Sequence, residues 1–512
     1  MEERMLPSAY SPESADQMAP LSGPASRWRW MSIVLIMGGL FFVKATVFAW
    51  MVTPLWDTPD ETGHYSYIES LADGHYPVLG KAMMGADVTR SWLGEGAKQR
   101  LNWIAQHPPL YYLLDTPVLL TARAIGLDFD QQVRSTRILS ALFGAGALIG
   151  LAIFVTRVTK SRELGLAAAI FVGATPMFLH LSSGVTHDTL LACLGAWSAE
   201  RYSQWVARRD AKYAYACAAL LALGCITKIT ALALAVPLMA LISLETLRLD
   251  MCWRRRFLRI AALGLVAFLP ITIWMIYNFL SFGNPLANSS MLGPRPTLVS
   301  IGSWDFMSLQ PFWQHTFFNY VGLIGWAHDG TLRWLQISGA PLRFFMGTIL
   351  LTCLLVPLDS VLQKWNSSRR LFFLLAAALA LAIYISHTQL KLTVATWTCM
   401  GIAVAMIWSG AEHIRRAWRG DVQSLMLFSA SACAIFFSYL YFSHLWHGYA
   451  GKLQASHGRY MYPVLPFFVL VLAWPWRSPR LARAGLIGAV LSMVVCDSYY
   501  LHQVFKFYGQ IH

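Results

Sequence analysis

The chain has 512 residues, of which 56% are hydrophobic and 13% are charged. Soluble domains carry roughly 25% charged residues, and apolar runs of about 20 residues find burial only in lipid, so a soluble enzyme is excluded and a polytopic membrane protein is indicated. The net charge of +14 lies in short connectors between apolar runs, where it sets orientation and does not indicate a nucleic-acid partner.

Residues 1–29 are polar and rich in Pro and Ser, and read as a disordered cytoplasmic tail. Thirteen apolar runs follow, near 31–52, 137–156, 164–182, 188–206, 213–227, 229–247, 257–279, 341–361, 371–386, 389–409, 424–443, 461–476 and 482–500. The run at 108–126 differs, because it opens with Pro108-Pro109, contains Pro117 and is broken by Asp115 and Arg123. If it does not cross, the seven short segments on one side hold 23 of the 40 basic residues, and the five short segments on the other hold Lys228, Lys391, Lys452, Arg459 and Lys506. If it crosses, every later connector flips and the positive-inside rule fails. It is therefore read as an interfacial helix. The expectation is an all-α polytopic protein with about thirteen transmembrane helices, one transmembrane domain over 30–500 and an outer tail over 501–512. Two long outer regions, about 53–136 and 280–340, are where chemistry is expected. The eight cysteines lie in or beside apolar runs without CxxC spacing, so no disulfide framework is implied.

The first outer region opens with Trp56-Asp57-Thr58-Pro59-Asp60-Glu61-Thr62-Gly63-His64-Tyr65. Two adjacent carboxylates and a histidine thus lie at the membrane surface, where a carboxylate can take a proton from a hydroxyl while its neighbour positions a substrate or a metal. The competing reading is an acidic helix start capped by Asp60. The same region closes with Gln106-His107-Pro108-Pro109-Leu110-Tyr111-Tyr112, where the prolines fix the backbone beside His107. His187-Asp188 heads the fourth run, as a helix cap or as a second polar wall of a site. Glu61, His64 and His107 could supply an oxygen and nitrogen metal site, although no ligand spacing demands one.

Basic residues on the outer side stand out because the orientation rule depletes them there. Lys228 lies between two runs, Arg137 starts the second and Arg459 precedes the twelfth. Three cations at one leaflet suit a lipid phosphate, and snorkelling to ordinary headgroups explains each one singly. Lys44, inside the first run, costs roughly 2.5–3.5 kcal/mol at a helix centre and calls for a buried partner. The second outer region offers Asn278, Asn284-Pro285, Phe312-Trp313, Phe317-Phe318 and Trp326, which fit either a sugar or isoprenoid surface or an interfacial aromatic belt.

Taken in order, Pro59-Asp60-Glu61, His107-Pro108-Pro109-Leu110-Tyr111-Tyr112, Arg137-Ile138-Leu139-Ser140, His187-Asp188, Thr227-Lys228, Tyr277-Asn278, Gly283-Asn284-Pro285-Leu286, Phe312-Trp313 and Gly458-Arg459-Tyr460 resemble the GT-C superfamily of glycosyltransferases. The likeness runs from about 45 to 470. It is strongest to a bacterial membrane-protein family allied to protein O-mannosyltransferases and to the lipid A aminoarabinose transferase. The resemblance implies a GT-C fold with interfacial helices in the first outer loop, in a bacterial cytoplasmic (inner) membrane with the site facing the periplasm or exterior. It also implies inverting transfer of a sugar from polyprenyl phosphate to a hydroxyl of a glycan, lipid or protein. Asp60 takes the role of base with Glu61 beside it. Lys228, Arg459 and Arg137 hold the donor phosphate, and His64, His107, Tyr111, Asp188 and Tyr460 complete the substrate-binding set. Two positions depart from the pattern: His187 stands where many relatives have Asn, and Asn284 where Asp is common, so Asn284 stays outside the catalytic set. No cofactor is implied beyond a divalent metal as an open option.

The reading from another class is a transporter or flippase for a lipid-linked sugar, which would use similar cations and aromatics. Transporters show internal repeats and spans broken near mid-bilayer, and this sequence shows no repeat. A non-enzymatic scaffold has only the abundant aromatics in its favour.

Overall fold

The computed structural model describes residues 24–286, 313, 316, 320–324, 327, 328, 331, 332, 335, 336, 340–362, 391–448 and 457–508. The fold is a helical bundle. In chain order its helices are α1 (Pro24–Val47), α2 (Glu61–Ala72), α3 (Ala86–Leu93), α4 (Leu110–Ala124), α5 (Phe129–Thr159), α6 (Arg162–Gly173), α7 (Pro176–Ser182) and α8 (Asp188–Arg208). They continue as α9 (Ala211–Cys225), α10 (Leu232–Leu247), α11 (Trp253–Phe282), α12 (Ala340–Leu362), α13 (Lys391–Trp418), α14 (Val422–Gly448), α15 (Leu465–Ala473) and α16 (Pro479–Tyr508). Within the second outer region, Leu323–Ile324 pairs with Leu335–Gln336 and Ala327–His328 with Thr331–Leu332, as two short antiparallel ladders.

Twelve of the thirteen predicted runs coincide with a helix or a broken helix, and the run near 371–386 lies outside the described residues, as do Phe312, Phe317, Phe318 and Trp326. Six helices among the described residues are long and apolar enough to cross a bilayer. The pair α6 and α7, bent by 72°, makes a seventh if it is one span. Others, α8 among them, carry polar and charged residues on faces buried against neighbouring helices, which dilutes their apolar signal. The first helix begins at Pro24 and α16 runs on to Tyr508, so ordered structure extends into both predicted tails.

The run at 108–126 forms α4, 15 residues long. One face buries Tyr111, Tyr112, Asp115 and Leu119, and the opposite face exposes Leu113, Leu114 and Leu120. An apolar exposed face on a helix of that length suits the membrane interface.

Local signals set the element boundaries. Asp128 Oδ1 accepts the Gln131 N–H at 2.8 Å and Gln131 Oε1 accepts the Asp128 N–H at 3.3 Å, a capping box that starts α5. Ser161 caps α6 by accepting the Leu164 N–H at 3.2 Å. α5 packs against α8, and α8 against the tight helical segment Gly458–Val464. Gly195 permits the second contact, because a Cβ there would lie 2.1 Å from the Pro463 carbonyl oxygen. Lys44 finds its partner in Asp497 of α16 at 2.6 Å, which joins the first and last helices.

Candidate active site

The first span ends in a wide helical turn, Phe48–Val52, whose free carbonyls need donors. Two arginines of α5 supply them. Arg134 donates to Trp50 O at 2.6 Å, and Arg137 donates to Ala49 O at 2.9 Å, Thr53 O at 2.7 Å and Pro54 O at 2.6 Å. Arg137 also forms a two-pronged pair with Glu61, Nε to Oε1 at 2.7 Å and Nη2 to Oε2 at 2.8 Å, with neither side chain exposed. Glu61 further accepts the N–H groups of Trp56 at 2.9 Å and Val185 at 2.9 Å. Arg137 was expected at a phosphate, and Glu61 beside a base or metal; here each has other partners. Both are spent on each other and on backbone, in a closed network that fixes the chain leaving the first span.

Asp60 follows that network in the left-handed region, at φ 63°. This conformation turns its side chain away from that of Glu61, and it makes no capping bond to α2. Instead Asp60 Oδ1 accepts the Trp103 indole N–H at 3.0 Å, and Oδ2 lies 3.4 Å from Arg459 Nη2. Arg459 Nε is 3.7 Å from Asp188 Oδ2, and Asp188 Oδ1 accepts from Lys228 Nζ at 3.0 Å. Four elements far apart in sequence thus build one alternating row: Lys228, Asp188, Arg459, Asp60. Tyr460 roofs the two cations, with Lys228 Nζ 4.2 Å and Arg459 Cζ 5.0 Å from its ring centre. Side-chain exposure in the row is 7% at Lys228, 9% at Asp188, 2% at Arg459 and 21% at Asp60. The carboxylate at the open edge is therefore Asp60. Asp188 at the head of α8 likewise serves the cations and does not cap its helix.

Histidines wall the Asp188 side. His64 Nδ1 lies 3.0 Å from Tyr112 OH and 3.4 Å from His187 Nδ1, and the His107 ring centre is 4.6 Å from that of His187. His187 Nε2 is 3.5 Å from Asp188 Oδ1. Tyr67 stacks on Tyr112 with centres 3.8 Å apart. Tyr111 points elsewhere, its hydroxyl 2.9 Å from Ser140 Oγ within the packed base of the loop. It supports α4 without joining the row. The expected set of Glu61, His64 and His107 does not assemble, and among the described residues no group of three or more His, Cys, Asp or Glu side chains is arranged to hold a metal. Asn284 Oδ1 accepts the Leu286 N–H at 2.8 Å, a local turn.

Burial raises the Asp60 carboxyl above the ordinary carboxylate range, against opposing pulls from Arg459, the Trp103 bond and Lys228. Burial holds His64 down at about 3 and His107 and His187 well below the usual histidine range, with Lys228 adding to each, so the imidazole wall is neutral. Lys228 is likewise lowered by burial, against the attraction of Asp188. The row can accept a proton at its least buried carboxylate, Asp60, and present two fixed cations to an anion. Trp103, absent from the expected set, and His187, read with Asp188 as a helix cap or a polar wall, are part of this geometry. Trp103 carried the weaker signal, a lone indole in the polar segment before His107.

The chain, a helical membrane protein with a carboxylate and paired cations among its helix ends, is similar in part to known glycosyltransferases. Its residues 116–274, from within α4 into α11, match the family model described as dolichyl-phosphate-mannose-protein mannosyltransferase. The solved protein O-mannosyltransferase Pmt1-Pmt2 complex of S. cerevisiae, bound to the sugar donor, is similar at 15% identity and a TM-score of 0.36, over 54% of this chain and 36% of that one. ArnT from Cupriavidus metallidurans in the apo state is similar at 17% identity and a TM-score of 0.33, over 88% and 78% of the two chains. The same protein bound to undecaprenyl phosphate gives 16% and 0.33, over 87% and 77%. The chain therefore spans about a third of the length of the yeast chain it matches. No curated protein matches the sequence.

Proposed function

We propose that the chain transfers a sugar from a polyprenyl-phosphate donor to a hydroxyl of a glycan, lipid or protein, with inversion, at the outer face of a bacterial cytoplasmic membrane. The observation that carries this reading is the 3.4 Å contact between Asp60 and Arg459, a partly buried carboxylate beside a cation that shares Asp188 with Lys228. Lys228 and Arg459 hold the donor phosphate through charge-assisted hydrogen bonds. Asp60 takes the proton of the acceptor hydroxyl as its oxygen bonds to the anomeric carbon. The bond from that carbon to the phosphate oxygen breaks on the opposite face, and the electron pair leaves with the phosphate, where the two cations stabilise it. Asp188 keeps the cations side by side, and His64, His107 and Tyr460 border the sugar. Residues 30–500 act as one transmembrane unit.

The row sits at helix ends and connectors, at the head of α8, between α9 and α10 and before α15. This favours surface chemistry over transport, for which a site near mid-bilayer is usual. The test incubates the purified chain with polyprenyl-phosphate sugars and an acceptor. Release of polyprenyl phosphate matched by glycosylated acceptor supports transfer. Passage of the intact donor across a vesicle membrane without release would favour a flippase.

A further inference from the structure

We infer that Trp103 is a positioning residue for Asp60: its indole N–H holds Oδ1 at 3.0 Å and leaves Oδ2, on the Arg459 side, to receive the acceptor proton. The inference rests on the reading of Asp60 as base. Indole is a donor only, so this bond both orients the carboxylate and favours its charged form.

The indole is held in place by its own loop. Met84 N donates to Arg100 O at 2.8 Å and Asn102 N to Ala82 O at 2.8 Å, which ties the segment before Trp103 to the strand-like stretch 82–84. Buried Asn102 then makes two bonds of its own. Its Oδ1 accepts the Ile104 N–H at 2.9 Å, starting the tight turn Trp103–Gln106, and its Nδ2 donates to Gly63 O at 3.0 Å in the first turn of α2. Gly63 makes room for this clamp, because a Cβ there would lie 2.5 Å from Ile104 Cγ1 and 3.0 Å from Asn102 Oδ1. The turn that carries Trp103 and the helix start that carries Asp60 are thus locked together three residues from the carboxylate. Asp60 itself sits in the left-handed region, where Asp is tolerated better than most residues but not favoured. Bonds on both of its oxygens hold that geometry.

The charged and titratable groups that act on Asp60 are Arg459, Lys228 and Asp188, while Tyr460 and Tyr112 feel its charge. None of these changes when position 103 is altered. The test uses the full-length chain with β-(3-benzothienyl)alanine at position 103, which keeps the ring shape and replaces the N–H by sulfur, alongside Trp103→Phe. The Asp60 carboxyl is titrated by infrared difference spectroscopy against Asp60→Asn. Turnover is followed with polyprenyl-phosphate mannose. The expected result is an Asp60 midpoint about one pH unit higher than in the wild type and a kcat about tenfold lower, with KM for the donor unchanged. An unchanged midpoint in the benzothienyl chain overturns the inference and makes Trp103 a packing residue, leaving the base reading intact if Asp60→Asn is inactive. Near-normal turnover of Asp60→Asn would instead remove the base reading.

Discussion

Arg137 and Glu61 meet in a fully buried, two-pronged ion pair that also gathers the carbonyls of Ala49, Thr53 and Pro54. Removing one partner of such a pair strands the other charge, at a cost of about 3–5 kcal/mol. Arg137→Met is therefore expected to lower the folded yield and the unfolding temperature sharply, while the fraction that folds binds donor normally. Thermal unfolding followed by fluorescence, with donor binding measured on the surviving protein, checks this. A stable variant with weakened donor binding would return Arg137 to the phosphate.

Asp60→Asn is a mild change to the fold, since Asn also tolerates the left-handed region and its Oδ1 can still accept the Trp103 N–H. Loss of a general base lowers the rate by about 10²–10⁴-fold. Turnover should fall in that range while donor affinity holds, as read by polyprenyl phosphate release and direct binding.

Lys228→Ala removes one of two cations beside the proposed phosphate. A hydrogen bond to a charged group is worth about 1.5–3 kcal/mol, so the donor Kd is expected to rise by about tenfold or more. An unchanged Kd would make Lys228 a structural partner of Asp188 alone.

The pH profile of kcat/KM in the free enzyme follows from Asp60 and Lys228. Activity is lost as pH falls through the Asp60 pKa, which lies above the ordinary carboxylate value, because the base is then protonated. It is lost on the alkaline side as Lys228 deprotonates below the usual lysine range. His64, held at about 3, contributes no limb near neutrality. A limb near 6.5 that disappears in His64→Gln would contradict this assignment.

Glu69 of α2 is raised to about 7, chiefly by burial and against the pull of Arg123. Because its folded pKa exceeds its unfolded one, its contribution to stability is fully present below about 4.5 and fades as pH rises through 7. Glu69→Gln should therefore melt about 2–4 °C higher than the wild type at pH 8, with the gap closing at pH 4.5. Calorimetry at the two pH values tests the sign.

Much of this arrangement was legible in the sequence. Apolar length marked the helices, and the rarity of cations on the outer side singled out Lys228 and Arg459, which the structure brings to Asp60. The different surroundings of Asp60 and Glu61 have a local cause. Adjacent carboxylates read as a pair, but the left-handed turn at Asp60 sends one toward Arg459 and the other toward Arg137. Tyr111, expected in the substrate-binding set, lies on the face of its helix that turns inward, with its hydroxyl at Ser140. The role of Trp103 and the Asp497 partner of Lys44 depend on contacts between distant segments, for which spacing along the chain carries no signal.

The bond between Lys44 and Asp497 has a consequence for biosynthesis. The ammonium group emerges from the ribosome roughly 450 residues ahead of its counter-ion and must wait near the lipid, at a cost of about 2.5–3.5 kcal/mol on insertion scales. Completion of the final helix thus relieves a penalty incurred by the first. A chain that ends before Asp497 keeps the ammonium of its first helix without the partner it has here.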